Sequence, residues 1–184
     1  MQARLSIRSA TLAIVMLLST AMYAQTATGT INATLINKNG ISLIFDSDPG
    51  GVSLGSNGSS TASLNFGNVS AFGTLAAGVT RPTVTPASYV VQTLFDVQVI
   101  QSGLASPSYT LTGQLAAAAP TGLTYGVDAV TLTTGSQTIS ATGTYNADVQ
   151  HTLSLTVSTA APGSGGPNTG TPLATTINFT ATSN

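Results

Sequence analysis

Gly51-Val52-Ser53-Leu54-Gly55 fits the G-x-S-x-G pattern in which a serine is presented as a nucleophile. His151, the single histidine, lies downstream, with Asp96 and Asp128 between. Ser, then Asp, then His is an order in which a base and an orienting carboxylate can serve a serine hydroxyl. The pattern works only as a sharp turn from a strand into a helix. Here Ser56-Asn57-Gly58 follows, a turn-forming run. The segment therefore reads as a loop. His151 is in phase with Leu153, Leu155 and Val157, at the start of an alternating run. It is expected at the rim of the core, with Asp148 in the preceding turn. One imidazole builds no metal site unless carboxylates converge on it.

The other polar groups give weaker signals. Asp46-Ser47-Asp48-Pro49-Gly50-Gly51 has the D-x-D and glycines of a calcium loop, but no Glu exists anywhere in the chain to close one. Asp and Gly are also what a reverse turn requires. Glycoside hydrolysis needs two opposed carboxylates, and five scattered Asp single out no pair. Asn32, Asn57, Asn68 and Asn178 each begin an N-x-S/T sequon, which a chain this rich in Ser and Thr produces by chance. Tyr109 is in phase with Leu111 and is expected in the core; Tyr89, Tyr125 and Tyr145 are not clustered in sequence. No catalytic, cofactor-binding or metal-binding residue is assigned, and the expectation is a protein without an active site.

The elements that would hold these residues are strands. Ile31, Ala33 and Leu35 alternate with polar residues, followed by Ile41, Leu43 and Phe45. The same two-residue period recurs at Ala62–Phe66, Phe95–Val99, Tyr109–Leu115, Thr152–Val157 and Thr176–Ala181. Period two puts one face of each strand in the core and one in water. Shorter candidates are Ala129–Thr133 and Gln137–Ala141. Turn formers separate the runs: Asn39-Gly40, Asp48-Pro49-Gly50-Gly51, Ser56-Asn57-Gly58, Arg81-Pro82, Ser106-Pro107, Pro120-Thr121-Gly122 and Thr134-Gly135. Ala116–Ala119 is read as a loop rather than one helical turn. Residues 161–172, rich in Gly, Pro and Ser, are expected to be a flexible loop. Seven to nine short strands without a helix predict an all-β, Ig-like antiparallel β-sandwich.

Composition narrows the function classes. Of 184 residues, 5% are charged, against about 25% in an average soluble domain. A helical bundle lacks its charged faces, and a nucleic-acid interface lacks its basic patch. No Cys is present, so neither disulfides nor thiolate metal sites are available. Arg4 and Arg8, the apolar stretch Leu12–Leu18 and the small residues up to Ala24 have the layout of a secretory signal peptide over residues 1–24. The apolar stretch is short of the roughly 20 residues of a membrane span. Cleavage falls after Ala24 or after Ala21. The mature chain, residues 25–184, is expected to be one secreted β-sandwich domain with no membrane span. It retains Lys38 and Arg81 against five Asp, a formal charge of 2 − 5 = −3.

Two segments carry a resemblance. Ala62–Ser70 reads ASLNFGNVS, and the chain ends LATTINFTATSN. With Phe95–Gln101, Ser108–Leu115 and Thr144-Tyr145 between, residues 62–184 resemble secreted bacterial pilin-like and spore-coat-protein-U-like β-sandwich proteins. The chain departs from the disulfide common among chaperone–usher pilins. The resemblance implies an Ig-like sandwich with a surface or fibre role. The expected function is an exported structural subunit of a bacterial surface filament, coat or matrix, self-associating or joining other surface subunits. Residues 25–38 would be either a donated strand or an ordinary edge strand. The alternative is a monomeric secreted adhesin or ligand-binding sandwich; no ligand, glycan or cofactor is indicated.

Overall fold

One fifteen-residue strand organises the molecule. Residues 88–102 form one strand whose odd positions Val91, Thr93, Phe95, Val97 and Val99 are buried. Its even positions, including Gln92, Asp96 and Gln98, lie on the other face. A strand this long can serve different partners along its length, and it does. The computed structural model describes residues 40–161 and 174–184, all within the unit Asn37–Asn184. The segments read as signal peptide (1–24) and donor or edge strand (25–38) lie outside the described residues, as does the 161–172 loop beyond Ala161.

Nine strands occur among the described residues: β1 Gly40–Asp46, β2 Thr80–Val84, β3 Ser88–Ser102, β4 Tyr109–Leu115, β5 Leu123–Val127, β6 Val130–Thr131, β7 Gln137–Gly143, β8 Asp148–Ser158 and β9 Ile177–Ser183. Every pairing is antiparallel. The first sheet runs β1-β3-β8-β5-β6, with β2 also paired to β3; the second runs β7-β4-β9. The protein is an all-β antiparallel sandwich. Its core joins Val91, Val97 and Val99 of β3 and Leu153 and Leu155 of β8 to Tyr109, Leu111 and Leu115 of β4. Phe179 of β9 bridges the sheets, with its ring 5.2 Å from Phe45 and 5.9 Å from Phe95. Such tilted aromatic contacts add to the area they bury.

β1 and β2 lie end to end along one side of β3. β1 pairs with Asp96–Ser102 and β2 with Tyr89–Gln92. The gap at Thr93–Phe95 is filled by loop backbone: the Val52 amide donates to Thr93 Oγ1 at 2.9 Å. Gly51 passes so close that a Cβ there would stand 2.0 Å from the Leu94 carbonyl oxygen, and one on Gly78 would stand 2.2 Å from the Gly51 oxygen. Only hydrogen side chains permit two backbones and a strand edge to meet this closely.

Three expectations change. Ala62–Phe66 is not a strand; Ser63 and Gly55 form one isolated bridge, while Leu64 and Phe66 pack against the core from an irregular loop. Arg81-Pro82, expected as a turn, lies inside β2. Proline is tolerated there because the ladder is irregular between Thr80 and Thr83. β5, unmarked by alternation because Gly126 interrupts it, pairs with both β6 and β8. Ala116–Ala119 is a loop, as expected.

Candidate functional site

On β8 the odd residues face the core, and His151 is the first of them. It is not at the rim: 4% of its surface remains exposed, and its ring lies 5.8 Å from that of Phe95. Nor is it alone. The turn after β5 places Asp128 beside it, with Oδ2 2.9 Å from His151 Nδ1. A carboxylate only accepts, so Nδ1 carries the hydrogen. Asp128 Oδ1 accepts from the Thr152 amide at 2.9 Å, and the Asp128 amide donates to the Thr152 carbonyl at 2.8 Å. Asp128 adopts φ +56°, a conformation Asp tolerates better than most residues. His151 Nε2 is buried and has no hydrogen-bond partner among the described residues.

Of the candidate triad, the fold thus joins two members. Ser53 is an exposed loop residue, and no hydrogen bond links it to His151. Nε2, the nitrogen a nucleophilic serine would meet, is enclosed in the core. The motif's glycines have a packing reason instead. Gly51 lies on the β3 edge, and a Cβ on Gly55 would stand 2.4 Å from Ser63 Oγ.

Four aspartates gather over the six-stranded sheet. Asp46 and Asp96 are register partners. Asp148 accepts from Gln98 Nε2 at 3.0 Å, and Asp48 accepts from Gln150 Nε2. The Asp96 carboxyl is raised above its ordinary pKa, first by burial and then by repulsion from Asp48, Asp148 and Asp46, with His151 opposing. Among the described residues no three such side chains form a metal-holding group. Asp48, 8% exposed, closes its own turn by accepting from the Gly50 amide at 2.6 Å. The candidate calcium loop is a side-chain-locked turn of the ordinary Asx kind.

Comparisons with protein-family models, with curated proteins and with solved structures found no match. The functional reading therefore rests on this chain alone.

Tyr109, Tyr125 and Tyr145 are buried, so they form no exposed platform. Burial raises the Tyr109 phenol above its usual pKa, with Tyr145 adding to it. Of the four sequons, Asn57 is engaged, its Oδ1 accepting from the Ser47 amide at 2.5 Å. Asn68 and Asn178 are exposed, and Asn32 lies outside the described residues. Among the described residues the exposed aromatic is Phe72, 79% accessible at a loop tip. Arg81 holds that tip by donating to the Ser70 and Gly73 carbonyls at 2.8 and 2.9 Å.

The sheet edges are the other chemically active feature. Among the described residues β3 is the only strand paired with β1, whose Phe45 also bridges the loop residue Ser59, and β4 is the only strand paired with β9. The Phe45–Phe179 contact brings these two edges to the same side of the sandwich. β9, Ile-Asn-Phe-Thr-Ala-Thr-Ser, has no charged residue. Sequence reading had singled out neither this pair of edges nor Phe72. The alternating Ile177, Phe179 and Ala181 were the one available signal.

Proposed function

We propose that the mature protein is an exported structural subunit of a bacterial surface filament, coat or matrix, assembled by strand addition. The observation that carries this reading is the uncharged β9 edge beside the β1 edge. Native sheets usually guard an edge with charge, proline or a bulge, because its free amides and carbonyls invite another strand. β9 pairs in regular register from Ile177 to Ser183, carries neither charge nor proline, and among the described residues has no strand on its other side. An added strand would gain main-chain hydrogen bonds there, with pockets for alternate side chains. The Gln25–Lys38 segment supplies the needed alternation with Ile31, Ala33 and Leu35. The resemblance to pilin-like and spore-coat-like sandwiches agrees with this role.

Deleting residues 25–38 tests the proposal. The expected result is a secreted, folded subunit that no longer assembles. A synthetic peptide of that segment should bind it and raise its melting temperature. Negative-stain microscopy and size-exclusion chromatography read assembly; thermal unfolding reads peptide binding. Normal assembly of the truncated form without peptide binding would refute strand donation.

A further inference from the structure

The outer face of the six-stranded sheet has a hollow floored by Gly126. Thr124 and Gly126 share that face, with Thr156 and Ser154 across on β8 and Thr131 across on β6, and Asp128 lines the hollow from the turn after β5. Gly126 is the register partner of both Ser154 and Thr131, so a missing side chain lies between two hydroxyl residues. A Cβ at Gly126 would stand 2.8 Å from Ser154 Oγ and 3.2 Å from the Val130 carbonyl oxygen. The hollow measures about 90 Å³ and is lined by these residues.

Asp128 is fixed at its rim from behind. His151 and the Thr152 amide each occupy one carboxylate oxygen. A carboxylate offers about four lone-pair directions, so two remain, on a side chain 41% exposed. Holding it this way leaves a nine-tenths-buried imidazole with an unpartnered nitrogen. An orphaned buried polar group costs roughly 1–3 kcal/mol, and such groups call for an explanation. Positioning Asp128 is that explanation. Among the described residues the hydroxyls of Thr124, Thr131 and Thr156 have no side-chain partner, and Ser154 Oγ donates to the Gly126 carbonyl at 3.3 Å.

We propose that this hollow binds the edge of a neutral sugar. Asp128 accepts from two neighbouring sugar hydroxyls, and the Thr131 and Thr156 hydroxyls give or take the remaining hydrogen bonds. Groups that both donate and accept suit a polyol. A single carboxylate without a second acid suits a cation less well, and no Lys or Arg lines the hollow to favour an anion. The volume admits an exocyclic group or one ring edge rather than a whole ring, so binding is weak and gains from many copies on a surface. The site is separate from the β1 and β9 edges and does not depend on strand addition.

The test is an amide chemical-shift titration of the mature protein with glucose, galactose, mannose and N-acetylglucosamine. Saturable shifts centred on Gly126, Asp128, Thr131 and Thr156 are expected with at least one of them. Asp128→Asn should weaken that binding by about tenfold or more. Thr131→Val, an isosteric change on an exposed edge strand, should weaken it severalfold without lowering the melting temperature. It serves as the reading if Asp128→Asn unfolds. The proposal is overturned by the absence of saturable shifts with all four sugars, or by wild-type titration of Thr131→Val. Stronger, salt-sensitive shifts with methylammonium at the same amides would equally overturn it and make the hollow a cation site.

Discussion

At the scale of single residues, two polar groups depart from what their surroundings favour. His151 occupies a core position on β8, and Asp128 anchors it across the β5–β8 pairing. His151→Ala should remove both the Phe95 contact and one support of Asp128. A loss of about 2 kcal/mol is expected, at the low end for a large-to-small core change. His151→Phe should cost less in stability, because it keeps the ring contact with Phe95 and Asp128 is exposed enough for water to replace the lost bond. Urea unfolding of both variants checks the order. Asp96 gives a pH prediction. Its carboxyl is raised in the folded state, so the folded protein binds the proton more tightly than the unfolded chain. Stability must then fall as pH rises through the window between the ordinary value of 3.8 and the raised one. Asp96→Asn should melt higher than wild type at neutral pH and show a flatter profile as pH is lowered toward that window. A wild-type profile in the variant would show that Asp96 carries no such penalty.

At the scale of elements, the loop between β1 and β2 and the edge strand β9 have distinct jobs. The loop plugs the gap on β3 through Val52 and Thr93, then returns through a tip clamped by Arg81. Arg81→Ala should free that tip and leave the core unaltered. Chymotrypsin should then cut at Phe72 faster, while the melting temperature changes little. For β9, Thr180→Lys adds a charge to an exposed position of the edge strand. A surface substitution of this kind is expected to shift stability by no more than about 0.5 kcal/mol. Assembly, if it runs through this edge, should fail. Intact filaments from a folded Thr180→Lys protein would move the assembly site elsewhere.

At the scale of the whole molecule, stability comes from packing and ladder hydrogen bonds. The chain has no Cys, so thiol reductants should not move its melting temperature. The one salt-bridge contact among the described residues is His151–Asp128, ionic only when the imidazole is protonated, with one partner buried. Debye screening weakens exposed charge pairs far more than buried ones. Added sodium chloride should therefore change the melting temperature little through this contact, and a modest rise would report screening of the carboxylate repulsion around Asp96. A steep salt dependence would point to exposed charge interactions instead.

Period-two alternation determined most of the architecture, because a strand buried on one face must alternate. The runs at Phe95–Val99, Tyr109–Leu115, Thr152–Val157 and Thr176–Ala181 fall within or across β3, β4, β8 and β9. Where local pattern and packing disagreed, the sequence misled. Ala62–Phe66 alternates yet finds no ladder, since β3 already carries β1, β2 and β8. Arg81-Pro82 reads as a turn yet runs beside β3, where an irregular ladder spares the missing amide. The candidate site was half legible. Asp128 and His151 stood out by residue type, but nothing local indicates that positions 23 apart meet. Nor does the sequence reveal that Gly126 faces two hydroxyl residues, or that β1 and β9 end on one side. These are consequences of strand order and register, which bring distant residues together and which alternation alone does not specify.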